Sequence, residues 1–259
     1  MKINYGFCHL SIIPCRAEES DRSEMVTQLL FGETFIVLEK NNQWVKIQTA
    51  DDLYSGWIDQ KQFLPISQNT FKQLQQQKRS YLFDLVQLMT FNQELIPVVL
   101  GSNFTGVDNG RLQIEKYIFE CDANFVNTNF KPDRRKIIET AFLYQNTPYL
   151  WGGKSPFGID CSGFSQMVYK MNGLIIPRDA SQQAKLGLTL SFIEEAEEGD
   201  LAFFDNDEGN IIHVGILLGK NKIIHASGRV RIDSIDHYGI YNIDLQKYTH
   251  NLRLLKKLF

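Results

Sequence analysis

Between residues 5 and 65 the apolar positions come in short bursts separated by polar turns. Gly32-Glu33-Thr34-Phe35-Ile36-Val37-Leu38-Glu39 is followed by Trp44-Val45-Lys46-Ile47 and then by Gly56-Trp57-Ile58. Bursts this short, rich in β-branched and aromatic residues, predict the strands of a small barrel. Weaker bursts at 94–100 and 111–119 predict a second, degenerate barrel or a linker region, with the glutamine-rich stretch 73–77 as the connection. The pattern changes after Pro132. Ile137, Ile138, Ala141 and Phe142 recur at helical spacing behind Asp133, a residue suited to capping a helix. A Gly/Pro-rich loop at 148–158 leads to a second helical stretch marked by Phe164, Met167, Val168 and Met171, with Gly173 as its stop. Strand-like runs follow at 201–204, 211–218 and 222–226, so helices precede a sheet in an α+β arrangement. The expected division is 1–66, 67–130 and 131–259.

Composition narrows the function more than the fold. A net charge of −3 with mixed signs supplies no broad basic surface for phosphates, which argues against nucleic acid as a partner and for a small ligand. No run of about 18 apolar residues is present, so no membrane partner is expected. The start of the chain lacks an apolar export core and a small-residue cleavage site, and a cytoplasmic location is the expectation. Cys8, Cys15, Cys121 and Cys161 form no CxxC pair, so neither a metal site nor a cofactor is expected, and all four should be thiols. Oligomeric state is not legible.

The candidate chemistry starts at Cys161. A cysteine at a helix N-terminus faces unpaired amides and the positive end of the helix dipole, which favour the thiolate. A fast thiol nucleophile also needs an imidazole partner, and His213 and His225 both lie in strand-like runs. Taken alone, a buried cysteine is usually an inert small hydrophobe and a strand histidine a hydrogen-bonded structural residue. Pairing geometry favours the functional reading. A three-residue hairpin loop of Gly219, Lys220 and Asn221 sets Leu218 opposite Lys222 and His225 opposite Gly215, making His225 a diagonal, same-face neighbour of His213. A two-residue loop would put the histidines on opposite faces. In this arrangement His213 is the base and His225 its orienting partner.

Three segments carry a resemblance: Ile159-Asp160-Cys161-Ser162-Gly163-Phe164, then His213-Val214-Gly215-Ile216, then His225-Ala226-Ser227-Gly228. They are similar, in the same order, to the signatures of NlpC/P60 peptidases. The resemblance covers residues 131–259 and implies a papain-like core with Cys161 as nucleophile, His213 as base and His225 as third polar residue. It also implies hydrolysis of the γ-D-glutamyl bond to lysine or diaminopimelate in peptidoglycan peptides. The stretch 5–65 resembles a bacterial SH3-like (SH3b) domain. That domain order resembles γ-D-glutamyl-L-diamino acid endopeptidases of the dipeptidyl-peptidase, peptide-recycling kind, which cleave after the second residue of a peptide with a free N-terminal L-Ala.

The same resemblance implies substrate-binding roles for Tyr149, Trp151, Asp160, Ser162 and Asp179, with Glu24 and Tyr54 from the barrel. Asp179 is the first choice for pairing the substrate ammonium, because a desolvated charge must be paired. Asp179 is equally suited to capping a helix, and Glu24 to an exposed face. The chain departs from some relatives at Ala180, where they carry Ser. Two other functions stay open: an exported hydrolase of intact peptidoglycan, and a catalytically silent ligand-binding module.

Overall fold

The computed structural model describes residues 4–127, 132–219 and 221–259. The chain divides into two compact units, one of residues 1–130 with 152–156 and one of residues 131–151 with 157–259.

The first unit begins with seven antiparallel strands in the order Met25–Leu30, Ile12–Arg16, Ser55–Asp59, Trp44–Thr49, Thr34–Asn41, Asn4–Cys8, Phe63–Ile66. Alternation along Trp44–Thr49 puts Val45 and Ile47 inside, where they pack with Cys8, Ile13, Phe35 and Ile58. The bursts read from the sequence are therefore strands of one curled sheet. The stretch expected as a connection is instead a helix, α1 (Gln68–Gln76), started by Ser67, whose side chain accepts from the Thr70 amide. Beyond it, Glu94–Val99, Val86–Phe91, Tyr117–Glu120 and Arg111–Ile114 form a four-stranded sheet. This second piece shares its core with the first: Phe7 and Phe31 meet Phe119 at 5.9 and 5.2 Å between ring centroids, and Phe31 meets Phe104 at 4.8 Å. Residues 152–156 add a buried ion pair, Lys154 Nζ to Glu33 Oε1 at 3.0 Å.

The second unit opens with α2 (Arg134–Leu143), whose N-cap Asp133 accepts from the Arg135 amide. Helix α3 (Cys161–Met171) is buried along its whole length, ending two residues before Gly173, which takes the left-handed conformation (φ 85°) of a helix stop. A short helix, α4 (Ala180–Gln183), follows. The sheet runs Leu188–Leu190, Lys247–Lys257, Leu201–Asp205, Ile211–Gly219, Lys222–Ser227, Arg229–Ile235, Gly239–Asn242. The long strand Lys247–Lys257 also pairs with Gly239–Asn242, which closes six of the strands into a barrel-like wall around Ala202, Phe204, Leu217, Ile223, Ile240 and Leu255.

The hairpin that joins the two histidine strands has the expected register at its functional end. Gly215 faces His225, Ile216 faces Ile224 and Leu217 faces Ile223. Its tip differs: Gly219, not Leu218, pairs with Lys222, and the register shifts between Leu217 and Gly219. The one extra residue restores the phase that a shorter loop would lose, so His213 and His225 stay on one face. Gly219 (φ 71°) and Asn221 (φ 57°) take the left-handed conformation such a turn demands. Lys220, part of the expected loop, lies outside the described residues.

Candidate active site

Asp160 positions Cys161. It precedes the first turn of α3, and its Oδ1 accepts from the Gly163 amide at 2.7 Å. The same carboxylate is gripped by the Arg178 guanidinium, Nη2 to Oδ2 at 2.6 Å and Nη1 to Oδ1 at 3.0 Å, and Nη1 also donates to Ser162 Oγ at 2.9 Å. Asp160, Ser162 and Arg178 are all buried. Gln183 ties the next segment to the helix by donating to the carbonyls of Ser162 (3.0 Å) and Pro177 (2.8 Å). Asp179 follows Arg178 directly. It precedes α4 but makes no side-chain cap there, and it is half-buried.

The two histidines meet on the sheet. His213 Nε2 lies 2.8 Å from His225 Nδ1, and His225 Nε2 lies 3.0 Å from Asp233 Oδ2. Gly215 makes this possible. A Cβ there would come within 2.9 Å of the His225 Cβ and 2.7 Å of Ile223 Cδ1. Arg231 holds Asp233 with Nε on Oδ2 at 2.8 Å and Nη2 on Oδ1 at 2.9 Å, and extends to Asp244 at 2.8 Å. Burial pushes the Asp233 carboxyl up, but the hydrogen bonds and charges of His225 and Arg231 outweigh it and hold the group below the usual carboxylate range. His250 stacks on His213, with ring centroids 4.2 Å apart and planes 27° from parallel.

Cys161 belongs to the same place. The Val214 amide, one residue from His213, stabilises its thiolate, and Tyr149 and Asp160 lie within electrostatic reach. The thiol does not behave as its helix position suggested. Burial, and next the Asp160 charge, push it up to about 12 against the opposing pull of the Val214 amide, Arg178 and the Ser162 amide. Desolvation of a buried sulfur exceeds what one helix terminus supplies. His213 moves the other way: burial, then the His225 and His250 rings, lower it well below the usual imidazole range. Taken one at a time, the surroundings of each group thus favour its neutral form. Tyr149 is held up to about 12, chiefly by burial and then by Cys161 and Asp160.

Among the residues singled out from sequence, Cys161, His213, His225, Tyr149, Asp160 and Ser162 are thus gathered around one end of α3 and its facing strands. Trp151 is 60% exposed in the second unit. Glu24 and Tyr54 belong to the first unit, Glu24 exposed just before the Met25–Leu30 strand and Tyr54 half-buried with its amide on Thr49 Oγ1 at 2.8 Å. Four residues of the cluster escaped the sequence reading: Arg178, Arg231, Asp233 and His250. The alternation Arg231-Ile232-Asp233 one hairpin beyond His225 was a usable signal, since His225 faces Arg231 and has Asp233 as its diagonal neighbour. His250 had none.

Comparison with known proteins fits this geometry. Residues 146–249 match the NlpC/P60 family, and residues 16–63 match the bacterial dipeptidyl-peptidase Sh3 domain. The chain is 31% identical to gamma-D-glutamyl-L-lysine dipeptidyl-peptidase of Bacillus subtilis (strain 168), over 77% of this chain and 71% of that protein. The chain belongs to the NlpC/P60 family. It is also 30% identical to dipeptidyl-peptidase 6 of Lysinibacillus sphaericus, over 88% of this chain and 91% of that protein. A crystal structure of an NlpC/P60 family protein from Bacillus cereus ATCC 10987 shares the fold, with a TM-score of 0.81 at 21% identity over 98% of this chain and 99% of that one. As an NlpC/P60 member preceded by an SH3-like domain, the protein is a cysteine peptidase. Among the described residues no helix is long and apolar enough to cross a membrane.

Proposed function

We propose that this NlpC/P60 peptidase cleaves the γ-D-glutamyl bond to a diamino acid, lysine or diaminopimelate, in small murein-derived peptides with a free N-terminal L-Ala. L-Ala-D-Glu is released, and the setting is recycling of wall peptides in the cytoplasm. The names of the two curated relatives support the bond and the dipeptidyl mode. The observation that carries the chemistry is the chain of contacts from His213 through His225 to Asp233 beside the Cys161 thiol.

That chain supports one placement of the protons. Asp233, held ionised by Arg231, accepts the proton on His225 Nε2. His225 Nδ1 then offers a lone pair, which holds the His213 proton on Nε2. Nδ1 of His213 is left basic, as a partner for the thiol. Cys161 attacks the γ-glutamyl carbonyl while its proton passes to His213 Nδ1, and the resulting imidazolium protonates the departing amine. The amides at the start of α3 suit the negative charge that develops on the carbonyl oxygen. Water then hydrolyses the thioester by the reverse use of His213. The surroundings of thiol and imidazole each favour the neutral form, which suits proton transfer that accompanies attack. Tyr149 and Ser162 border this centre, and Asp179, fixed next to Arg178, is the carboxylate assigned to the substrate ammonium.

The test is mass analysis of products from L-Ala-γ-D-Glu-L-Lys, its diaminopimelate analogue and their N-acetylated forms. Cys161→Ala and His213→Ala should each abolish cleavage with the fold retained. Acetylation removes the charged partner of Asp179, and a hydrogen bond to a charged group contributes about 1.5–3 kcal/mol, so the acetylated peptides should react about tenfold or more slowly. Asp179→Asn should narrow that gap. Equal rates on free and acetylated peptides would favour an enzyme of intact peptidoglycan, and turnover by Cys161→Ala would remove the nucleophile.

A further inference from the structure

We propose that His213, His225 and His250 form a reversible inhibitory site for one divalent transition-metal ion of the zinc type. Three strands bring them together, and one ligand nitrogen of each lies within 4.8 Å of the others. An ion bound at about 2.0–2.1 Å from each nitrogen requires the rings to turn: the His213–His225 pair, now at 2.8 Å, opens, and His250 tilts out of its stack on His213 to close the wider spacing. Three imidazoles and no carboxylate favour zinc, copper or nickel over magnesium or calcium. His213 and His225 are buried and His250 is half-buried, so His250 marks the way in.

Two of the ligands already have the outer partners that metal-binding imidazoles use. His225 Nε2 is anchored on Asp233 Oδ2 at 3.0 Å, which leaves Nδ1 to ligate. His250 Nδ1 pairs with Thr249 Oγ1 at 2.9 Å, which leaves Nε2. The third ligand is Nε2 of His213, now 2.8 Å from His225 Nδ1. That pair shares one proton, and an ion needs both lone pairs. His225 keeps its own proton against Asp233, so the His213 proton must move from Nε2 to Nδ1, and none is released. With Nδ1 protonated, His213 cannot take the Cys161 proton. This last step rests on the role proposed for His213; the binding itself does not.

Cobalt(II) titration of the full-length Cys161→Ala protein, prepared free of metal, tests the site without turnover. One equivalent should bind, with the visible bands of a low-coordinate nitrogen site and no thiolate-to-cobalt charge-transfer band, and zinc should displace it. His250→Ala in that background should weaken binding by tenfold or more, as should Asp233→Asn, since loss of an outer partner typically costs about 10–100-fold in affinity. His250→Asn serves as a second variant, with thermal unfolding confirming the fold of each. In the unsubstituted enzyme zinc should stop peptide cleavage, a chelator should restore it, and His250→Ala should raise the half-inhibitory zinc concentration by the factor seen with cobalt. Cobalt bound by the unsubstituted protein but not by Cys161→Ala would assign metal to the thiol and overturn the proposal. Equal affinity in Cys161→Ala with and without His250→Ala would do the same. Absence of peptide cleavage without metal would instead fault the peptidase reading and leave the cobalt result standing.

Discussion

Asp233→Asn tests the proton arrangement at the residue that sets it. The substitution keeps the shape of the side chain and removes its charge. If the amide nitrogen turns toward His225, it donates where Asp233 accepted, the His225 proton moves to Nδ1, and His213 is driven to carry its proton on Nδ1, the nitrogen proposed to take the thiol proton. At stake is one hydrogen bond to a charged acceptor, His225 Nε2 to Asp233 Oδ2 at 3.0 Å in buried surroundings. Such a bond contributes about 1.5–3 kcal/mol. At about 1.36 kcal/mol per tenfold in rate, kcat/KM should fall roughly 10- to 150-fold. Arg231 keeps Asp244 as a partner at 2.8 Å, so the variant does not strand a guanidinium and should remain folded. The assay is kcat/KM on L-Ala-γ-D-Glu-L-Lys, with thermal unfolding to confirm the fold. A loss below about threefold in a folded variant would refute the claim that Asp233 sets the His213 tautomer.

Gly215→Ala should lower kcat/KM and destabilise by about 1–3 kcal/mol, because the added methyl meets the His225 Cβ and Ile223 Cδ1; unchanged melting and rate would mean that His225 does not depend on that gap. Asp160→Ala should be the most destabilising of these changes, about 3–5 kcal/mol by chemical denaturation, since it removes the α3 cap and leaves buried Arg178 without its fork, and a loss under 1 kcal/mol would contradict this. In the pH profile of kcat/KM the acid limb should lie well below 6.5, because burial disfavours protonation of His213, and an acid limb near 6.5 would refute that effect of burial. Stability should respond earlier. His250, lowered to about 4 by burial and then by His225, stays neutral in the folded protein while the unfolded chain takes up a proton, so its contribution is full above about 6.5 and fades as pH falls toward 4.

The segments around Cys161, His213 and His225 were legible in the linear order because each function is written into local geometry. A cap residue before a helix marks Cys161, and alternation within a strand gives each histidine a face. Gly215 opposite His225 followed from hairpin register alone, although the tip that secures it is built with one more bulged residue than expected. The helix 68–76 was hidden by its composition: its glutamines read as a connection, and only Leu74 is fully buried. The shared core of Phe7, Phe31, Phe104 and Phe119 was equally invisible, since contacts between distant strands leave no periodic signal.

The sequence by itself determined which residue types stand at the helix start and on the two histidine strands, because those positions follow from 3.6- and 2-residue periods. Only the tertiary structure decided how they behave. Closure of the sheet by Lys247–Lys257 brings His250 onto His213, a contact across 37 residues that no local pattern encodes. The strand after His225 delivers Asp233 with Arg231 behind it, and with them the tautomer of the base. The thiol's charge state was decided there too: a helix N-terminus is a local feature that lowers it, burial is a sum over the whole fold that raises it, and at Cys161 burial is the larger.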